Sequence, residues 1–259
     1  MRDLLALLFP PACAACRALL PFEGFDGESA PILCRACLQE LLSETLDTCG
    51  ICGQEVSTCA CLPILLQKAK CESFRKLFYY RQGDRKQVQN RLIFCIKDAP
   101  SAAVVSFFAE HLEEAVADWM RELDFSAEQA VLVPIPRSLR GVWRTGTDQA
   151  KRLSMALGAR CGIPVEAAIG RRLGRGREQK HLGASERRRN ARLSFYKKEG
   201  VAVKGKTVIL VDDIVTTGAS MSVAAGLLRR AGAARILCLA VASDTSNKTS
   251  PDRQPRFRI

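Results

Sequence analysis

Val208-Ile209-Leu210-Val211-Asp212-Asp213-Ile214-Val215-Thr216-Thr217-Gly218-Ala219-Ser220 is the stretch on which the fold turns. A β-branched apolar run meets two adjacent carboxylates, then hydroxyls and a glycine, and a helical pattern follows. That order reads as a buried parallel strand delivering a site at its carboxyl end. Thr216, Thr217, Gly218, Ala219 and Ser220 would form a turn whose N–H groups and hydroxyls converge at the amino end of the next helix, a nest for phosphate. Two carboxylates repel a bare phosphate but accept hydrogen bonds well from vicinal sugar hydroxyls. Asp212 and Asp213 with this turn therefore read as a ribose 5-phosphate site. A buried strand before a capped helix would account for Ser220 and the valines, but it leaves the doubled aspartate unexplained.

Downstream, Met221, Val223, Ala224, Leu227 and Leu228 share one side of a helix over 219–231, with Arg229 and Arg230 near its carboxyl end and Gly232 as terminator. Ile236–Val241 reads as the closing strand, and the polar, basic residues 244–259 as a disordered tail. Upstream, Val131–Pro136 is a strand stopped by prolines. Arg137, Arg140 and Arg144 follow, on a turn suited to gripping a diphosphate through forked hydrogen bonds. A helix over Asp148–Cys161 and a strand over Ile163–Ile169 continue the alternation that implies a parallel sheet.

Residues 171–192 carry nine basic and two acidic side chains with three interspersed glycines. Such a segment reads either as a mobile loop closing over a polyphosphate or as a nucleic-acid-binding arm. Earlier in the chain, Tyr79-Tyr80 reads as a β-edge, Leu92–Lys97 as amphipathic, and Ala102–Leu123 as a helix with Glu110, Glu113, Glu114 and Asp118 outside. His111 reads as a surface residue, and Lys97 either as a contact to an anionic ligand or as a solvated lysine ending a helix.

Cysteine is concentrated at the start: Cys13-x-x-Cys16, Cys34-x-x-Cys37, Cys49-x-x-Cys52 and Cys59-x-Cys61 lie within 49 residues. Each turn offers two thiolates to one Zn²⁺, and two turns close a tetrahedral site, so one or two structural zinc ions are expected. The simplest pairing joins the first turn to the second and the third to the fourth; interleaving is the alternative, with Cys71 as a substitute ligand. So few large apolar side chains cannot fold such a segment alone, and metal binding would supply the folding free energy. Residues 1–61 hold three basic and eight acidic residues, net −5, which leaves +17 on residues 62–259. Direct DNA binding by the cysteine-rich part is therefore disfavoured, while the remainder suits polyphosphate or nucleic acid. Leu4–Phe9 is apolar but too short to span a bilayer and is followed by Pro10-Pro11, so the expectation is a cytoplasmic protein without membrane insertion.

Taken together, the four cysteine pairs, Val133-Pro134-Ile135-Pro136, Gln179-x-x-Leu182, Glu186-Arg187-x-x-Asn190 and the Asp-Asp turn resemble the ComF family, over about residues 1–243. The resemblance implies an α/β fold: a type I phosphoribosyltransferase-like parallel sheet flanked by helices, with a small N-terminal zinc-ribbon module. It implies domains at 1–62 and 63–243. Carried over, Asp212 and Asp213 would hold the ribose hydroxyls, Thr216–Ser220 the 5-phosphate, and Gln179, Arg187 and Asn190 would sit in the mobile loop. The ligand implied is phosphoribosyl pyrophosphate (PRPP) with Mg²⁺, and the reaction a transfer to a nitrogen nucleophile. The family is also linked to DNA uptake in natural competence, which implies as the alternative a non-catalytic accessory protein binding single-stranded DNA or a helicase partner. The pattern departs at Thr145-Gly146-Thr147-Asp148-Gln149, where the family usually has Arg-Gly-Phe/Tyr-Asn-Gln. That loss of an arginine, an aromatic and an amide motivates the accessory alternative.

Overall fold

The computed structural model describes residues 10–20, 31–45, 49, 52–56, 58–80, 86–98, 101–138, 142–143, 146–172, 189 and 193–244. The chain passes through α1 (Arg35–Thr45), α2 (Ile64–Lys68), β1 (Ser73–Tyr80), α3 (Val88–Asp98), α4 (Ala102–Glu122), β2 (Ala130–Pro134), α5 (Gln149–Cys161), β3 (Ile169–Arg171), β4 (Phe195–Lys197), β5 (Thr207–Val215), α6 (Ala219–Arg230) and β6 (Arg235–Asp244). β1, β6, β5 and β2 lie side by side in that order, all parallel. The expected helix-flanked parallel sheet is thus present.

Burial on both faces explains why β2, β5 and most of β6 read as unbroken apolar runs, whereas β1 carries the buried Arg75 and Lys76. Val208, Leu210, Ile236, Cys238 and Ala240 pack against α6 through Met221, Ala224, Ala225 and Leu228. Ile209, Val211, Leu237 and Leu239 face the other way, onto α3, α4 and α5. Cys13, Leu33, Cys37 and Leu41 of the cysteine-rich part belong to that second cluster, so the N-terminal part is seated on the core. Each fully buried valine, leucine, isoleucine or methionine among them contributes about 1.5–3 kcal/mol.

Four readings need correction. Ile236–Val241 does not close the sheet: β6 is interior, because β1, far ahead in the chain, pairs along its outer side. Ile163–Ile169 is not a strand of the main sheet; one bridge joins Val165 to Leu132, and β3 then pairs antiparallel with β4. Asp118 is not simply solvated. It accepts from Arg75 of β1 at 2.7 Å, as does Glu122, because Arg75 is itself buried and needs charge partners. Arg171, taken as loop, belongs to β3 and lies over the Phe195 ring. The segment Leu4–Phe9 and residues 245–259 of the expected tail lie outside the described residues, while Asp244, its first residue, ends β6. Among the described residues no helix is long and apolar enough to cross a membrane.

Candidate functional site

β5 outruns β2. Its pairing with β2 ends at Pro134 opposite Val211, so the edge of β5 from Asp212 onward borders the segment after β2. This is the crevice at strand carboxyl ends where open α/β sheets bind ligands. Asp212 and Asp213 stand within β5, not beyond it, since pairing with β6 continues through Val215. The register, however, passes from Asp212 opposite Ala240 to Ile214 opposite Ala242, and from Lys76 opposite Ala240 to Phe78 opposite Ala242. Alternation slips at that level, for Val211 and Ile214 pack on one cluster and Leu210 and Val215 on the other. The two aspartates occupy the slip. Each carboxylate caps a neighbouring backbone donor: Asp213 N–H donates to Asp212 Oδ1 at 2.9 Å, and Ile214 N–H to Asp213 Oδ1 at 2.7 Å.

The expected turn is present. Thr216, Thr217 and Gly218 bend the chain between β5 and α6, and the N–H groups of the first turn of α6 have no intrahelical partners. Thr217 Oγ1 accepts from Ala219 N–H at 3.4 Å. Gly218 is the N-cap at φ 73°, a left-handed conformation that favours glycine. Asp212 and residues 214–221 line a cavity of about 50 Å³.

Arg137 follows β2, half-buried, and its N–H lies 3.4 Å from Asp148 Oδ2. Asp148 also caps α5, accepting from Lys151 N–H at 3.2 Å. The carboxylate of the altered segment therefore serves as a helix cap, a task asparagine performs about as well. Lys97 belongs to α3 one residue before its end. Gln179, Arg187 and Asn190 lie outside the described residues. His111 is exposed on α4, beside the Phe107 ring and carbonyl.

The cysteines settle into two groups, Cys13, Cys16, Cys34 and Cys37, and Cys49, Cys52, Cys59 and Cys61, with the sulfurs of each within 4.8 Å of one another. Sequential pairing holds. Cys71 is in neither group; its thiol is paired with Cys238. Zn–S bonds of about 2.3 Å set tetrahedral sulfurs roughly 3.8 Å apart. Cys16–Cys34 and Cys52–Cys59 each stand 3.7 Å apart, so both sets fit zinc. Burial opposes ionisation of Cys13, yet N–H groups of Cys16, Cys34 and Ala15 bring it down to about 6. Cys59 falls to about 4, chiefly through the Cys61 hydrogen bond, with the Lys76 charge assisting, while Cys61 is pushed up.

Three contributors escape sequence reasoning. Lys76 is buried on β1 beneath this second set, its ammonium over the Phe74 and Tyr79 rings. Burial first, and then its hydrogen bond to Cys49, push the Tyr79 hydroxyl up. Glu40 of α1 accepts from Val88 N–H at 3.0 Å, tying the first set to the start of α3. Only the charge of Lys76 within an apolar strand offered a signal.

Residues 108–259 match the sequence model of the phosphoribosyl transferase domain. Over 211 residues the chain is 28% identical to "Competence protein F" of Haemophilus influenzae, covering 79% of this chain and 87% of that one. It is 33% identical over 105 residues to "DNA utilization protein YhgH" of Salmonella typhi, covering 40% of this chain and 45% of the relative. These matches, with the two cysteine sets, bear out the resemblance to the ComF family. A hypoxanthine phosphoribosyltransferase from Staphylococcus aureus superposes with a TM-score of 0.38 at 11% identity, over 61% of this chain and 72% of that one.

Proposed function

The chain belongs to the phosphoribosyl transferase domain family, and from that membership we propose that it binds PRPP, or another phosphoribosyl compound, and transfers the phosphoribosyl group to a nitrogen nucleophile. The observation that carries this reading is the cavity shared by Asp212 and the turn Thr216–Ser220. The 5-phosphate accepts hydrogen bonds from the first-turn N–H groups and hydroxyls; Asp212 and Asp213 accept them from the ribose hydroxyls. As the bond from the anomeric carbon to diphosphate breaks, the leaving oxygen takes the electron pair. The nitrogen attacks that carbon and loses its proton. The carboxylates favour the positive charge that grows on the sugar, and Arg137 stabilises the departing diphosphate. In this reading Gln179, Arg187 and Asn190 also contact ligand, and Lys97 supplies further positive charge.

Mg²⁺ suits this donor set, being a hard cation that keeps its waters and takes oxygen from carboxylate and diphosphate. When bound it neutralises diphosphate charge. Zinc is structural in this reading, residues 1–62 forming the ribbon module, 63–243 the transferase-like domain and 244–259 a tail, in a cytoplasmic protein. Calorimetry with PRPP, with and without Mg²⁺, tests binding. Diphosphate release across a panel of bases and amines, lost in Asp212→Ala, tests transfer; absence of PRPP binding sinks both.

A second reading, an accessory protein binding single-stranded DNA or a helicase, is favoured by Trp143, which is 88% exposed and follows Arg137 and Arg140 in sequence. Exposed aromatics among basic residues stack bases and meet phosphates. Salt-sensitive DNA binding that survives Asp212→Ala and weakens in Trp143→Ala would favour it.

A further inference from the structure

We propose that Leu66 is a positioning residue that couples metal occupancy of the second cysteine set to the shape of the phosphate turn. The inference rests on the sugar-phosphate reading of that turn. Cys61, a ligand of the second set, is followed directly by Leu62, Pro63 and the five-residue helix α2. Leu62 carbonyl accepts from Gln67 Nε2 at 2.8 Å, and Pro63 carbonyl from Leu66 N–H at 2.8 Å, so ligand and helix are joined without slack. Leu66 is fully buried, and its side chain lies under Gly218, the N-cap of α6. A Cβ built on Gly218 would stand 3.0 Å from Leu66 Cγ and 3.6 Å from Pro63 Cβ.

A helix of five residues has no stability of its own in water. α2 is held by the burial of Leu66 in the core cluster and by what ties its two ends. At the far end the Arg229 guanidinium of α6 donates to the Lys70 carbonyl, and Cys71 N–H donates to the Leu66 carbonyl at 3.0 Å. At the near end the tie is Cys61. The second set is itself seated on the sheet, beside the buried ammonium of Lys76 and the hydroxyl of Tyr79 on β1. Losing the metal frees Cys61 and loosens one end of α2, and Leu66 no longer backs the residue from which the phosphate-binding N–H groups start. The first set lacks this route: Cys13 and Cys37 pack in the core cluster on the opposite face of the sheet from α6.

Coupling between two sites is reciprocal, so PRPP must strengthen zinc binding at the second set by the factor by which that zinc strengthens PRPP binding; we expect about tenfold, within the usual range for coupled sites. The test uses the full-length, zinc-loaded wild type. Zinc withdrawal by a competing chelator is followed with and without PRPP and Mg²⁺, and the phase absent in Cys61→Ser identifies the second set. Calorimetry then compares PRPP affinity of wild type, Leu66→Ala and the conservative Leu66→Met, all zinc-loaded. PRPP protection of the second phase alone, weakened binding by Leu66→Ala and recovery in Leu66→Met support the coupling. PRPP binding with unaltered zinc withdrawal overturns it and leaves the sugar-phosphate reading standing. No PRPP binding by the zinc-loaded wild type overturns both. The chelator arm needs no variant that must fold with an altered core.

Discussion

Val211 and Ile214 pack on the same face of the sheet although three positions separate them. In a regular strand residues an odd number apart point to opposite faces. The discrepancy is absorbed by Asp212 and Asp213, which sit between them and take up backbone donors with their own carboxylates. Pairing of β6 with β5 and with β1 passes alike from Ala240 to Ala242, so register is kept across the three strands. A β-bulge re-aims side chains in the same manner, and here the slip falls at two acids, of which Asp212 lines the cavity beside the turn.

Asp212 lines the cavity at the turn before α6 and caps Asp213 N–H. Asp212→Ala is expected to weaken PRPP binding at least tenfold by calorimetry, while lowering folding stability by only about 1 kcal/mol for the lost hydrogen bond. A variant that binds normally would remove Asp212 from the ligand site.

Gly218 adopts φ 73° against Leu66. Adding a methyl group there forces a left-handed conformation on alanine and overpacks a buried leucine, together about 2–4 kcal/mol. Denaturant unfolding of Gly218→Ala should show that loss, and in a Leu66→Ala background the same substitution should cost only the backbone part.

Asp148 works as a cap. Asp148→Ala should cost about 1 kcal/mol, whereas Asp148→Asn should be near neutral in stability. If the diphosphate lies beside Asp148, removing its charge raises PRPP affinity in the asparagine variant; unchanged affinity would place the diphosphate elsewhere.

Both cysteine sets have the spacing of tetrahedral zinc. Elemental analysis should find two zinc ions per chain, and Cys16→Ser one. Chelation should lower the melting temperature, because Cys13 and Cys37 lie in the core cluster beside α3 and α4. A fully reduced, metal-free protein of unchanged melting temperature would contradict this.

Burial, reinforced by the charge of Glu113, pushes the Cys161 thiol from 9.0 up to about 11. Ionisation is harder in the folded chain than in the unfolded one. The stability contributed is therefore complete below pH 9 and lost as pH rises through about 11. Cys161→Ala should flatten the fall in denaturation midpoint over that interval, relative to wild type.

The strand at Val208–Val211, the turn that follows it, the helices at 102–122 and 149–161 and the sequential cysteine pairing were legible because each is written in local signals. Apolar period, capping chemistry and ligand spacing need no knowledge of distant residues. The order of the sheet was not legible. Nothing in Ile236–Val241 tells whether a residue more than 150 positions earlier will pair along its outer edge, as β1 does. The ion pair of Arg75 with Asp118 was hidden for the same reason: a carboxylate on a helix reads as solvated until its cationic partner is known.

By itself the sequence determined which side chains could bind metal, where the turn between β5 and α6 begins, and that a two-sided parallel sheet carries it. Only the tertiary structure decided that Leu66, five residues after Cys61, lies against Gly218 at the start of α6, and that two aspartates share a slip in the strand. The physical reason is that residue type sets what a group can bond to, whereas contact between Leu66 and Gly218, 152 positions apart, exists only after the chain has packed.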